Sequence, residues 1–184
     1  YLNEPDSTTE WLELGISNSY RLDMSANYIF LLNTFTERSE LKVFDTGQNK
    51  QVLSIDDPEL GDFFVDHTAK EISLLINNRS IRTIDFDGKL IREFRIPFEI
   101  SEIRKLSPQV FIGYNNYRDK GSANFYLFNN EGKEIASYLP FSKSARGLGR
   151  MVNSSLTRNQ SSVFAAPFLS NKIYLLHRII HLLI

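Results

Sequence analysis

An all-β fold, and within that class a β-propeller, is predicted by three features of the sequence. The motif at residues 22–32, LDMSANYIFLL, recurs at 65–75 as VDHTAKEISLL, 43 residues later, with its Asp, Ala, Ile and both Leu in step. Short apolar strands of the same kind follow at 109–114 and 171–176. Phe and Tyr, present 14 and 8 times, fit the half-buried surface of a sheet. A repeat near 40 residues built from short strands is typical of a propeller blade.

Each of the first three repeats continues into a hairpin. The turns contain Gly47, the pair Asp87-Gly88, and Asn129 to Gly132. Asp-Gly and Asn-rich Gly turns supply the positive φ that tight β-turns need. We therefore expect each repeat to be a meander of about four short strands.

The repeat spacing predicts a lead-in segment at 1–16 followed by four blades. We place the blades at about 17–57, 60–97, 98–139 and 150–184. Marked strands begin 43, 39 and 62 residues apart, and the last interval holds a loop at 141–150 that has no apolar periodicity. Closed rings more often have about six to eight blades. The chain is therefore expected to be a partial propeller, or to form a homodimer through open blade edges.

The composition excludes several classes of function. Net charge is −1 and no basic stripe could follow a phosphate backbone, so nucleic acid is not an expected partner. No cysteine is present, which rules out disulfides, thiolate zinc sites and thiol catalysis. No apolar run reaches the roughly 18 residues that suggest a transmembrane segment.

Several segments carry a family resemblance. Residues 41–55, 81–96 and 125–140 each have the pattern of a strand, an acidic or Asn-containing turn with a Gly, and a second strand, and in the last two segments a Lys follows the Gly. Residues 162–174 are similar to a late blade of a propeller. In these features the chain resembles the six-bladed β-propellers of Bacteroidetes, of the NHL-like and TolB-like kind, many of which are lipoproteins. The resemblance implies a partial copy of such a propeller in the periplasm or cell envelope. It carries over no catalytic residue.

Two loops that do not repeat are the candidate ligand-binding segments. Residues 114–119 combine aromatic, amide and charged groups that suit contact with a glycan or a peptide, and residues 142–150 form a basic loop that could contact an anion. The candidate ligand-binding residues are Tyr114, Asn116, Tyr117, Arg118, Arg146 and Arg150.

No catalytic residue, metal site or cofactor is predicted. The acidic residues at 56–62 lack the spacing of a calcium loop, and we interpret them as an inter-blade loop. His177 and His181 would share a helix face but lie about 13 Å apart on a strand, so they are not expected to bind metal. Asp23 and Asp66 recur in both copies of the motif and are interpreted as blade scaffolding.

Three functional hypotheses follow. The leading one is a non-enzymatic binding or scaffolding propeller of the bacterial envelope, with an unknown protein or glycan ligand. The alternative is a propeller-type glycan-acting hydrolase or lyase, which would need carboxylates or metal ligands converging on the central face. The third is an incomplete product without a function of its own.

Overall fold

The computed structural model describes residues 21–34, 38–117, 122–141, 156–159, 162–165 and 174–177, and every regular element in these ranges is a β-strand. The first sheet, blade 1, contains β1 (Arg21–Met24), β2 (Tyr28–Thr34), β3 (Ser39–Asp45) and β4 (Lys50–Asp56). Blade 2 contains β5 (Leu60–Asp66), β6 (Glu71–Ile76), β7 (Ser80–Asp85) and β8 (Leu90–Arg95). Blade 3 contains β9 (Glu102–Ser107), β10 (Val110–Tyr114), β11 (Ala123–Asn129) and β12 (Glu134–Pro140). Blade 4 contains β13 (Leu156–Asn159), β14 (Ser162–Ala165) and β15 (Tyr174–His177).

Each sheet is an antiparallel meander in chain order, which confirms the predicted propeller class. The predicted turn chemistry is visible between the last two strands of blades 2 and 3. Asp85 Oδ1 accepts hydrogen bonds from the backbone amides of Asp87 and Lys89, and Asn129 Oδ1 plays the same part in blade 3. Gly88 and Gly132 follow in these turns with φ of 84° and 82°, a region that favours glycine.

The first strand of each sheet lies toward the centre of the assembly. β5 packs against β1 on one side and β9 on the other, and β9 packs against β13. The fourth strands, β4, β8 and β12, alternate between exposed and half-buried residues. This order, with first strands inside and fourth strands at the rim, is that of propeller blades.

Three apolar clusters fill the spaces between successive blades. The cluster between blades 1 and 2 contains Phe30, Leu32, Leu41, Val43, Leu60, Phe63, Val65, Ile72, Leu74, Ile76 and Ile84. The cluster between blades 2 and 3 contains Phe64, Leu75, Ile81, Ile96, Phe98, Ile100, Ile103, Phe111, Ala123, Tyr126 and Phe128. The cluster between blades 3 and 4 contains Ile112, Tyr114, Phe125, Leu127, Leu156 and Val163. Burial of these side chains between sheets is the main force that holds the blades together.

Candidate functional site

The predicted ligand-binding residues of the β10–β11 connection fall in two environments. Tyr114 ends β10 and is fully buried, with its ring stacked on Phe125 at a centroid distance of 5.2 Å. Asn116 and Tyr117 lie beyond the strand with positive φ and are half-buried. The Tyr117 amide donates to Asn124 Oδ1 at 3.2 Å. Ligand binding by these residues stays a prediction, and Arg118, Arg146 and Arg150 lie outside the described residues.

The aspartates of the repeated motif each contact the following blade. Asp23 Oδ1 lies 3.0 Å from Nε2 of His67 in blade 2. Asp66 Oδ2 accepts a hydrogen bond of 2.9 Å from Nζ of Lys105 in blade 3. A repeated residue that joins neighbouring repeats has a structural role, as the motif indicated.

The acidic segment between blades 1 and 2 divides into a loop and a strand. Asp57 Oδ1 accepts a hydrogen bond from the Glu59 amide, and Asp56 pairs with Arg38 at the surface. Asp62 instead lies within β5 and is fully buried. Among the described residues no group of three or more His, Cys, Asp or Glu side chains is arranged to hold a metal ion. His177 ends β15, and His181 lies outside the described residues.

A buried ionic network, which we call the central network, joins the first strands of the blades. It consists of Arg21, Asp62, Glu102 and Arg104. Arg21 binds Asp62 Oδ1, and Arg104 Nη1 lies 3.1 Å from Asp62 Oδ2. Arg21, Asp62 and Glu102 occupy matching positions in three blades, because they pair with Leu32, Leu75 and Tyr114, which are spaced by the repeat.

The central network extends to blade 4 through backbone groups. Glu102 Oε2 accepts a hydrogen bond of 3.0 Å from the Leu156 amide, and Arg104 Nη2 donates to the Leu156 carbonyl at 2.8 Å. The Ile103 amide donates to Asp62 Oδ2 at 2.8 Å. These side chains therefore satisfy backbone groups between sheets, where ladder hydrogen bonds cannot reach.

Burial raises the pKa of Asp62 to about 7. The positive charge of Arg21 and a hydrogen bond from the Ile103 amide act in the opposite direction, and the negative charge of Glu102 adds to the rise. The dominant cause is the loss of water around the carboxylate, which disfavours its charged form.

A cleft of about 440 Å³ opens between blades 2 and 3. Its lining residues are Asp66, Thr68, Ala69, Glu71, Arg92, Lys105, Leu106, Ser107 and Pro108. Volumes of this size are usual for small-molecule sites, which range from about 300 to 1,000 Å³.

The charged residues of the cleft form one connected chain. Glu71 Oε2 accepts hydrogen bonds from Arg92 Nη2 at 3.0 Å and from Lys105 Nζ at 3.2 Å. Arg92 Nε donates to Thr83 Oγ1 at 3.3 Å, and Thr83 Oγ1 lies 3.3 Å from Ser73 Oγ. This series of hydrogen bonds continues from Lys105 to Asp66, so it runs from the interior of the blade boundary to the surface of the cleft.

Among blades 1 to 3, this polarity occurs only in blade 2. We call Glu71, Ser73, Thr83 and Arg92 the polar row; its last three members are cross-strand neighbours on β6, β7 and β8. The residues at the matching positions are Tyr28, Phe30, Val43 and Leu53 in blade 1, and Val110, Ile112, Leu127 and Ala136 in blade 3. Both of those rows face the next blade with apolar groups, so of these three boundaries only the one between blades 2 and 3 has polar side chains at these positions, beside its apolar cluster.

Lys105 is a second departure from the repeat at the same boundary. It pairs with Phe111 on β10, as Val65 pairs with Ile72 in blade 2, and it faces the preceding blade as Val65 does. Val65 contributes to an apolar cluster, whereas the Lys105 side chain is 6% exposed and bound to two carboxylates. A buried lysine is tolerated because Asp66 and Glu71 compensate its charge.

Sequence reasoning missed the polar row and the central network. The sequence did contain a signal for the polar row. When the repeats are aligned at spacings of 43 and 39 residues, Ser73 stands at the position that Phe30 and Ile112 hold in the neighbouring repeats. Arg92 and Lys105 could not be connected to that position without the strand pairing and the packing of one blade on the next.

The architecture and the inter-blade cleft define a β-propeller protein. The DUF5128 family, described as a 6-bladed beta-propeller, matches residues 8–179, so the chain belongs to this family. The predicted resemblance to six-bladed propellers is thereby confirmed. No functionally curated protein matches the chain. Within the described ranges, no helix offers the length and apolar character that a bilayer crossing requires.

Solved structures share the fold. A candidate exported protein of Bacteroides fragilis aligns with a TM-score of 0.65 and 18% identity over 90% of this chain and 49% of its own. KlHsv2 with a Gly-Ser linker in place of loop 6CD aligns with a TM-score of 0.50 and 12% identity, over 82% of this chain and 45% of its own. Hsv2 of Kluyveromyces marxianus gives a TM-score of 0.50 and 11% identity, over 82% of this chain and 44% of its own. The chain therefore spans about half the length of these proteins.

Proposed function

We propose that the chain is a non-enzymatic binding module and that the cleft between blades 2 and 3 is its binding surface. The observation that carries this proposal is that the polar row of blade 2 occupies positions that are apolar in blades 1 and 3. Packing alone favours apolar residues at such positions, because polar groups lose hydration when a blade covers them. A departure from the repeat whose two charged members, Glu71 and Arg92, line a cleft is better explained by a ligand than by folding.

The carboxylates of the central network support binding over hydrolysis. A hydrolase of the propeller type would need carboxylates that a substrate can reach. Asp62 and Glu102 are 0% and 4% exposed, and their oxygens are bound by arginines and backbone amides. At the cleft, Asp66 and Glu71 both accept hydrogen bonds from Lys105 Nζ, so neither carboxylate is unpaired there.

Native mass spectrometry tests the proposal. The purified chain, incubated with an envelope extract of its native host, should carry a non-covalent adduct that the variant E71V/R92A loses. These two substitutions give blade 2 the residue types that blade 3 has at the matching positions, Val110 and Ala136. They leave the pair between Lys105 and Asp66 in place. Adducts of equal abundance on both proteins would contradict the location, and conversion of the adduct to product masses would favour an enzyme.

We also infer that the protein is exported to the cell envelope. The family resemblance and the structural similarity to a candidate exported protein support this inference. Fractionation of the native host, followed by immunoblotting, should recover the protein with envelope or periplasmic markers. Recovery with cytoplasmic markers would overturn it.

Self-association through blade 1 is a further part of the proposal. Leu22 and Met24 on β1 are 56% and 62% exposed. A second copy that covers them would explain two large apolar side chains on one short strand. Sedimentation velocity should show a dimer that Met24→Glu dissociates, and a monomer at all concentrations would refute this part.

A further inference from the structure

The charge pattern of the cleft determines which ligands it can accept, given the proposed binding function on which this inference rests. Asp66 and Glu71 carry two negative charges, and Arg92 and Lys105 carry two positive charges. Each charge is already within 3.2 Å of an opposite one. An incoming anion would meet a carboxylate, and an incoming cation would meet a guanidinium or ammonium group. A neutral ligand adds to this network without displacing an ion pair.

Unused hydrogen-bonding capacity lies on the same side chains. Within the part of the chain that the structure describes, Glu71 Oε1 and Arg92 Nη1 make no hydrogen bond, and Lys105 uses two of its three N–H donors. The side chains of Glu71 and Arg92 are 20% and 26% exposed, so a ligand can reach them. A carboxylate acceptor beside a guanidinium donor matches a hydroxyl group, which both donates and accepts, and a pair of adjacent hydroxyls can bind to both.

The rest of the lining fits the same ligand class. Ala69, Leu106 and Pro108 offer apolar surface, and Thr68 and Ser107 add hydroxyl groups. A pyranose ring presents C–H groups on its faces and hydroxyls at its edge, which is the combination these residues would contact. We infer that the cleft between blades 2 and 3 binds a neutral saccharide through Glu71, Arg92 and Lys105.

Saturation-transfer NMR with the full chain tests this inference. The saccharide probes are glucose, N-acetylglucosamine, maltose and chitobiose, and the charged probes are inorganic phosphate, lysine and glutamate. We expect transfer to at least one neutral saccharide and to none of the charged probes. Glu71→Gln and Arg92→Leu should each weaken binding by about tenfold or more, because each removes a charged hydrogen-bonding partner.

Arg82→Leu is the matched control. Arg82 lies on β7 beside Thr83, pairs with Glu93 and Asp57, and faces away from the cleft. The Arg82→Leu variant should bind the saccharide as the wild type does. Circular dichroism of each variant shows whether a loss of binding comes from unfolding, and the conservative Glu71→Gln change provides the test if Arg92→Leu does not fold.

Three outcomes would overturn the inference. Absence of transfer to all four saccharides rejects the ligand class, while the proposed binding function stands or falls separately on the native mass spectrometry. Transfer to phosphate, lysine or glutamate in place of the saccharides also rejects it. Saccharide binding that Arg82→Leu weakens as much as Arg92→Leu rejects the location.

Discussion

Asp62 and Arg104 form a buried ion pair of 3.1 Å that joins the first strands of blades 2 and 3. Neither side chain is more than 4% exposed, and Arg104 continues from this pair to the Leu156 carbonyl of blade 4. One carboxylate thus organises contacts among all four blades, since Arg21 of blade 1 binds its other oxygen. The central network therefore fixes how the blades are arranged around the centre, and its loss should be costly.

Asp62→Ala should lower the free energy of unfolding by about 3–5 kcal/mol, because it leaves the buried Arg104 guanidinium and the Ile103 amide without the oxygen that accepts their hydrogen bonds. Urea unfolding at pH 7, followed by circular dichroism, measures the change. Asp56→Ala serves as the control, since Asp56 is 49% exposed and its pair with Arg38 should contribute less than about 1 kcal/mol. Equal losses for the two variants would contradict the central role of Asp62.

The raised pKa of Asp62 predicts a pH dependence of stability. Between about pH 4 and pH 7 the folded protein holds a proton on Asp62 that the unfolded chain has released. The contribution of Asp62 is therefore greatest below about pH 4, and it is lost as pH rises through 7. Relative to Asp62→Asn, which does not titrate, the wild type should lose stability from pH 5 to pH 8. A difference that is constant, or that grows with pH, would refute the assignment.

Tyr126→Phe should cost about 1–3 kcal/mol of stability. The Tyr126 hydroxyl accepts hydrogen bonds from the amides of Ser122 at 2.7 Å and Ala123 at 3.0 Å, and the substitution leaves both amides without this acceptor. Tyr138→Phe removes a hydroxyl from a residue that is 47% exposed and should change stability by less than about 0.5 kcal/mol. Thermal and urea unfolding of the two variants checks the contrast, which a neutral Tyr126→Phe would disprove.

The repeat and its turns could be predicted from the sequence because they depend on local chemistry. The spacing of the motif at Asp23 and Asp66 indicated a meander, and Asp87-Gly88 marked a turn that Gly88 enters with positive φ. These features depend on strand periodicity and backbone freedom, which a few neighbouring residues determine.

The residues of the cleft and of the central network come together only when one blade packs on the next. The sequence alone therefore did not predict them. Asp62 was grouped with the acidic loop before it, although it begins the central network inside β5. Lys105 meets Glu71 and Asp66 only because blade 3 packs on blade 2. Tyr114 illustrates the opposite case, a candidate ligand-binding residue that the structure places in the core. It lies beside a polar loop, but its ring is buried against Phe125.

The polar row, in the proposed function, serves a ligand and not the fold. The free energy of unfolding of E71V/R92A, measured against the wild type without ligand, tests this most directly. Replacement of an ion pair by apolar residues is often neutral or stabilising, and in this variant the buried Lys105 keeps Asp66, its nearer carboxylate, as a counter-charge. We therefore predict a stability equal to that of the wild type within about 1 kcal/mol, or higher. A loss of about 3 kcal/mol or more would show that the polar row is structural and would contradict the account.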